Sequence, residues 1–453
     1  MSKEFGKTGT TVDATGSSVV FFCVRADSDA DHLVPVVDAL ARRGQHAIRV
    51  VIYDPIKTYQ DDYRFRYLKD TYGISPEHVL DLPEIPVARR LRLSLVRRAF
   101  AFILYLQRRY VGVLPQGATR RPLQRLQTYL SKNTRNEIAS SALISEILKH
   151  DRGLVVFDHT MNTLTQAVST AVRKHGFAMA ALPHSVPHVA SLLRDPATGK
   201  SPTPDKSWAD FFDVLAVPNE LSVARLTSDG TPREMVAVLG SARFGTEWGQ
   251  TLDRIAPKYD WVTEKPKIAF ILSKHGPYVD WPGVNDVVAE LTRAGRAAVV
   301  LKPHPRTEIS GLPSARESDF LRLAGPDTPT CSLIQWADLV VFWGSSVIYD
   351  ALRLRKPALH LAYLIRLDFD FETYVSNWRV ESPLDLKVRL DSFLETRSET
   401  FSEDEAAACL AALVGDEQEQ SIAERYSTLL EDLAGLSAPA KEATNEQHAT
   451  ATL

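Results

Sequence analysis

The chain has 453 residues, more than one ordinary hydrophobic core fills, so two domains of usual size are expected. Its 44% hydrophobic and 24% charged content describes a globular protein and excludes a disordered or fibrous one. A net charge of −3 excludes a global field drawing the chain onto nucleic acid, and Cys23, Cys331 and Cys409 lack the spacing of a disulfide framework or zinc site.

The opening MSKEFGKTGTTVDATGSS has no apolar stretch of the kind that heads a secretory signal; residues 1–17 are expected to be disordered, and a reduced cytoplasmic setting fits. From Ser18, SVVFFCV is a continuous apolar run, the pattern of a strand buried on both faces. The polar ADSDAD follows, then a helix pattern from His32 to Arg43 that ends at Gly44 and then the strand AIRVVIY. Strand, helix, strand implies a parallel pair with a right-handed crossover.

Residues 86–150 differ. Between Ile85 and Asn136 there is no acidic residue but there are twelve Lys or Arg, interleaved with apolar residues at helical spacing in LRLSLVRRAFAFILYLQRRY. A helical insertion with a basic face is expected. Arg-rich amphipathic helices bind anionic lipid, so peripheral contact with the inner face of the cell membrane through 86–135 is expected; the structural alternative is a helical hairpin whose arginines are solvated or paired with acids elsewhere. No apolar run is long enough to span a bilayer.

GLVVFDHT then reads as a strand and polar loop, 164–175 as a helix, and FAMAALPH, FDVLAVPN and MVAVLGS as further strands completing an N-terminal domain over 18–240. Residues 241–266 lack a clean period and read as a linker. A second domain over 267–436 restarts the pattern with strands KIAFILS, AAVVLKPHP, DLVVFWGSS and KPALHLA, separated by helices ending near Arg293, at CSLIQWA and over Val347–Leu354, and followed by helices near 381–396, 402–413 and 417–435. The tail 437–453 is expected to be disordered. The fold class is α/β: two Rossmann-like domains facing each other across a cleft, the first carrying the basic insertion.

Open α/β sheets bind ligands at the carboxyl ends of their strands, and the polar residues that could do chemistry stand there. Lys302-Pro303-His304-Pro305-Arg306 follows AAVVL, with two cations flanking an imidazole held between prolines, an arrangement suited to a phosphate or leaving nucleotide. Trp343-Gly344-Ser345-Ser346 follows DLVVF and opens a helix; small residues admit a ligand, N–H groups and hydroxyls donate to anions, and a serine can equally cap the helix. Asp350, one turn on, could orient a partner or face solvent. Ser273-Lys274-His275-Gly276 follows KIAFIL, as a phosphate loop or an ordinary polar turn. Asp158-His159 follows GLVVF, where Asp158 could be a base, a nucleophile or a helix cap. His184 and His188 stand after FAMAA and could serve as a base or bond to backbone carbonyls. There is no GxGxxG after the first strand and no GxxxxGK[ST], which excludes a nicotinamide-dinucleotide site and a P-loop.

KPHPR, followed about forty residues later by ADLVVFWGSSVIYDALRLRKPALHL, resembles the donor half of GT-B glycosyltransferases. More narrowly it is similar to the group that builds bacterial surface and capsular polysaccharides with cytidine-activated donors: bacterial sialyltransferases, Kdo transferases and CDP-glycerol glycerophosphotransferases. In those families a His-Pro motif and a Ser-Ser or Ser-Thr motif contact the donor's phosphate and cytidine, which the resemblance places on His304-Pro305 and Ser345-Ser346. LGSARF at 239–244 resembles the segment entering the second domain, which more often reads GSPR. The sequence departs from the group in two places. Asp158-His159 stands where the sialyltransferases carry an acidic pair and a glycine, and LPHSVPH stands where the glycerophosphotransferases carry a WHGTP-type motif.

The resemblance implies a metal-independent transferase without a resident cofactor, its nucleotide-sugar donor a CMP- or CDP-linked co-substrate and its acceptor a glycan or lipid-linked saccharide. Lys302, His304 and the helix start near Ser345 would stabilise the leaving phosphate, and Asp158 or His184 would take the acceptor's proton. The alternatives are an enzyme like UDP-GlcNAc 2-epimerase, a CDP-glycerol-type polyol-phosphate transferase, and a non-catalytic binding or scaffold protein that kept the fold. The cleft loops carry more His and Ser than Glu, which argues against the epimerase.

Overall fold

The computed structural model describes residues 18–23, 26–52, 62–79, 81–82, 85–110, 125–126, 128–130, 141–149, 151, 153–158, 163–183, 210–228, 230–273, 279–304, 311–325, 327–365, 367–396 and 401–436. Of these, 18–183, 210–215 and 426–436 belong to one compact unit, and 216–425 to another.

The first sheet is built from β1 (Ser18–Cys23), β2 (Ala47–Ile52), β3 (Pro76–His78), β4 (Gly153–Asp158), β5 (Ala178–Leu182), β6 (Val214–Val217) and β7 (Val236–Val238). Its strand order is β3-β2-β1-β4-β5-β6-β7, and the pairings from β3 through β6 are parallel. Every residue of β4 is buried, as its unbroken apolar run requires of a strand covered on both faces. The helices that follow in chain order are α1 (Ala26–Arg43), α2 (Tyr63–Tyr72), α3 (Val87–Tyr110), α4 (Ser141–Ile147), α5 (Thr163–Arg173) and α6 (Glu220–Ser228).

Helix α1 starts before the pattern that was read from His32, over the polar ADSDAD. Those residues are helical from Ala26. Carboxylates in the first turns suit the positive end of a helix, and Asp31 also accepts from the buried Arg64 of α2. The hydrophobic pattern begins only at His32, so periodicity alone delays the start. Helix α2 has no apolar stripe in the sequence; its ends are set locally. The Asp62 carboxylate accepts from Arg64 N at 2.9 Å; at the other end Gly73, at φ 73°, donates its N–H to Lys69 O, and Ile74 N–H donates to Leu68 O.

The second sheet contains β8 (Lys267–Ile271), β9 (Ala298–Lys302), β10 (Leu321–Leu323), β11 (Leu339–Phe342), β12 (Ala358–Leu361) and β13 (Arg379–Val380). The order is β10-β9-β8-β11-β12-β13, parallel throughout. The remaining helices are α7 (Thr246–Ile255), α8 (Trp281–Thr292), α9 (Thr330–Trp336), α10 (Val347–Arg353), α11 (Pro383–Thr396), α12 (Glu403–Leu413) and α13 (Ile422–Leu436). Ile268, Phe270, Val299, Leu301, Val341 and Leu359 pack with Val284, Val288 and Leu291 of α8 and with Leu386 and Leu390 of α11 into one core. Strands β3, β10 and β13, of two or three residues each, are too short to show a period and were not read from the sequence.

The stretch 241–266, expected as a linker, carries regular structure and is held by distant parts of the chain. It holds a 3-10 turn at Ala242–Phe244 and then α7. Beyond α7, the Trp261 ring stacks on Trp336 at 5.7 Å, and the Trp336 indole donates to Trp261 O at 2.9 Å.

Candidate functional site

In the second sheet the chain leaves β8 towards β9 and leaves β11 towards β12, in opposite directions. Strands β8 and β11 are neighbours at a topological switch point, and open α/β sheets usually bind ligands at the carboxyl ends of the strands there. Ser273 stands just after β8 and Trp343-Gly344-Ser345-Ser346 just after β11.

Ser273 is buried, and its hydroxyl faces the carbonyls of Trp343, to which it donates, and of Gly344, at 3.1 Å. It therefore locks the β11 turn to the end of β8. Gly344 sits at φ 48°, and a Cβ there would lie 2.9 Å from Phe369 Cζ and 3.0 Å from Ile365 Cδ1. Both the left-handed conformation and the lack of space call for glycine.

The two serines divide the labour. Ser345 Oγ accepts from Val347 N at 3.4 Å, which makes it the local cap of α10. Ser346 has helical backbone angles and no capping bond through its side chain. Both are half-buried. Among the described residues, the N–H groups of Ser345 and Ser346 and the Ser346 hydroxyl meet no acceptor. Three donors are thus gathered on one turn at the switch point of the sheet.

Behind the turn lies a histidine that the sequence did not single out. His360 of β12 is 1% exposed, with Nε2 3.5 Å from Gly344 N and Nδ1 2.8 Å from Glu372 Oε1. Nε2 is placed to accept from Gly344 N, and Nδ1 faces the Glu372 carboxylate. Phe369 and Phe371 present their edges to the imidazole at 5.0 Å, and Phe342 lies at 5.3 Å. Burial holds the imidazole below its ordinary pKa, against the pull of Glu372. Burial also works to raise the Glu372 carboxyl, but the bond from His360 and the charge of Arg379 outweigh it, and the carboxyl is lowered. Arg379 donates to Glu372 at 2.5 Å and to Glu381 at 2.6 Å. A lone histidine inside the apolar run KPALHLA was the signal available, because a polar group in a doubly covered strand must have partners built for it.

The other expected residues fall as follows. Lys302, the last residue of β9, is buried and donates to Gly325 O at 2.7 Å, clamping its strand end to the loop after β10. Burial lowers the ammonium pKa, with Asp327 opposing. His304 is half-buried and makes a contact of its own. Asp350 is buried in α10, its Oδ2 4.0 Å from Arg243 Nη2, and so does not face solvent. Asp158 ends β4 of the first sheet, buried, in register with Leu182. Lys274, His275, Arg306 and His184 lie outside the described residues. No group of three or more His, Cys, Asp or Glu side chains that could hold a metal ion occurs among the described residues.

No family model matches the sequence, and no curated protein does. Solved structures do match in fold. A UDP-GlcNAc 2-epimerase from Methanocaldococcus jannaschii, in complex with UDP-GlcNAc and UDP, superposes with a TM-score of 0.52 at 12% identity, over 92% of this chain and 98% of its own. The Neisseria meningitidis UDP-GlcNAc 2-epimerase bound to UDP-GlcNAc gives 0.50 at 14% identity, over 92% and 99%. A further UDP-N-acetylglucosamine 2-epimerase gives 0.52 at 15%, over 92% and 95%. What these likenesses show is the fold: an α/β chain of the GT-B class with two parallel, Rossmann-like sheets.

Proposed function

We propose that this chain is an enzyme that binds a nucleotide-activated sugar at the 343–346 turn and transfers the sugar to a glycan or lipid-linked acceptor. The observation that carries this reading is the set of three donors on Ser345 and Ser346, without acceptors among the described residues, on a turn braced by Ser273 and His360. When the bond between sugar and phosphate breaks, negative charge collects on the departing phosphate oxygens. Donors fixed in place beforehand stabilise that charge without reorganising. The KPHPR and WGSS resemblance supports a cytidine-linked donor, and in this reading His304 assists the leaving group while Asp158 or His184 takes the acceptor's proton. The reaction is metal-independent, so turnover is expected to survive EDTA, assayed as nucleotide release; abolition by chelator contradicts that part.

Binding is checked by thermal shift with CMP, CDP, UDP and GDP. A ligand at 100 times its dissociation constant adds about 2.7 kcal/mol. Ser346→Ala removes a half-buried hydroxyl without a partner among the described residues, so stability is expected to change by no more than about 0.5 kcal/mol. Nucleotide affinity is expected to fall about tenfold, the worth of one hydrogen bond to a charged group. Unchanged affinity in Ser346→Ala would remove the turn from the site and favour a binding or scaffold protein.

A second reading is an epimerase, supported by the similarity in fold to the UDP-GlcNAc 2-epimerases above, two of which hold UDP-GlcNAc. Incubation with donor alone separates the two. A transferase leaves the sugar's configuration untouched when no acceptor is present, whereas an epimerase converts it.

A further inference from the structure

Helix α3 buries one face and exposes another that is apolar. Leu93 and Ile103 are buried, whereas Val87, Leu91, Leu95, Phe102 and Tyr105 are 55–66% exposed. At 3.6 residues per turn these five fall within about 80° of one another, a single stripe running about 27 Å along the helix. Arg98, also exposed, lies within that stripe, where a long side chain can lay its methylenes on apolar surface and keep its guanidinium in water. Leu126 and Tyr129 are exposed as well, with Arg125 beside them. The basic side chains have unequal roles: Arg89 reaches Glu146 at 3.8 Å and Arg90 donates to Leu82 O at 3.0 Å, so these two hold the helix to its own unit.

From the stripe and the charge around it we infer that α3 docks this protein on an anionic lipid surface, lying in the interface plane. Charge selects the occupant. No carboxylate occurs between residues 85 and 136, against twelve Lys and Arg. A second copy of the chain would bring the same cations onto themselves, because a two-fold contact pairs each surface with its own kind. Nucleic acid would use the cations and aromatic rings but gains nothing from Val87, Leu91 and Leu95, since its backbone is bound by charge and its bases by stacking. A membrane with anionic headgroups uses both: the stripe enters the acyl boundary and the arginines meet the headgroups. Spanning is not the mode, because no helix among the described residues is long and apolar enough to cross a membrane.

The test is co-sedimentation of the full chain with phosphatidylcholine vesicles, with and without phosphatidylglycerol. The protein is expected to pellet only with the anionic vesicles. Leu91→Gln/Leu95→Gln/Phe102→Gln, which keeps every charge, is expected to weaken partitioning at least about tenfold, and Arg98→Glu/Arg125→Glu by a similar factor. Thermal unfolding unchanged in both variants confirms that they fold. A polarity-sensitive fluorophore on Leu95→Cys is expected to shift to the blue with anionic vesicles alone. No pelleting, no spectral shift, or binding indifferent to the glutamine variant overturns the inference. So does a self-association, seen by light scattering, that the glutamine variant abolishes while vesicles leave the protein in solution. Binding of an RNA oligomer at least as tight as that of anionic vesicles, and equally indifferent to the glutamines, also overturns it.

Discussion

Replacing Gly344 by alanine is expected to lower the unfolding temperature by about 5–15 °C and to abolish nucleotide binding at the 343–346 turn. Two costs add. A residue with a Cβ is disfavoured in the left-handed region by about 1–2 kcal/mol, and Gly344 sits there at φ 48°. The new methyl would also lie 2.9 Å from Phe369 Cζ and 3.0 Å from Ile365 Cδ1. Phe369 has little room to yield, because it stacks on Phe371 at 5.4 Å and makes an edge contact with His360 at 5.0 Å. Overpacking of that kind costs about 1–3 kcal/mol. Any relief moves the turn, and with it the N–H groups of Ser345 and Ser346. Gly325→Ala is the control: a Cβ there would meet only Thr328 Oγ1 at 3.9 Å, an ordinary contact, and little change is expected. Calorimetry of the two variants decides the matter, and a Gly344→Ala protein that melts with the wild type would show that the turn is not held as described.

His360→Ala is expected to cost about 3–5 kcal/mol and to weaken nucleotide binding with it. The change empties a box walled by Phe342, Phe369 and Phe371, deprives Gly344 N–H of its acceptor and leaves Glu372 facing a cavity. His360→Phe separates these effects by keeping most of the volume and losing the polar bonds. The same residue makes stability depend on pH. Burial holds the folded imidazole below the ordinary value of about 6.5. Between the lowered value and 6.5 the unfolded chain therefore binds a proton that the folded chain does not, so stability rises with pH in that window. The contribution is complete above about pH 6.5 and is lost as the solution is acidified. The Glu372 carboxyl, lowered chiefly through His360 and Arg379 against burial, acts in the same direction further down. Its contribution is present above the ordinary carboxylate value of about 4.3 and is lost as pH falls through the folded value. Denaturation across this range should show the wild type losing more stability on acidification than His360→Phe. Parallel curves for the two proteins would mean that folding does not shift the titration of the imidazole.

These two residues also mark where sequence reading stops. Unbroken apolar runs such as GLVVFD, AAVVL and LVVF are read as strands covered on both faces because no other arrangement hides both sides of such a run. Two parallel α/β sheets, and polar residues collected at their carboxyl ends, follow from that pattern alone. The turn Trp343-Gly344-Ser345-Ser346 was legible as a tight turn between strand and helix, since small residues between an apolar strand and a helix are a local signal. The roles within the turn were not. Ser273 turns out to bond backbone, Ser345 caps α10, and Lys302 bonds Gly325 O, because each is directed by groups from 23 to 71 residues away or by a rotamer choice that spacing does not record.

By itself, then, the sequence determined the longer strands, the two-sheet α/β class and the sheet edge on which the polar loop residues stand, since hydrophobic periodicity and turn residues act over a few positions. The tertiary structure alone decided which donors on that edge lack acceptors among the described residues, why position 344 admits only glycine, and that His360, Glu372 and Arg379 brace the turn from behind. Those depend on side chains from β8, β12, β13 and the 369–372 turn converging in space, and a pairing made by packing leaves no periodic trace along the chain.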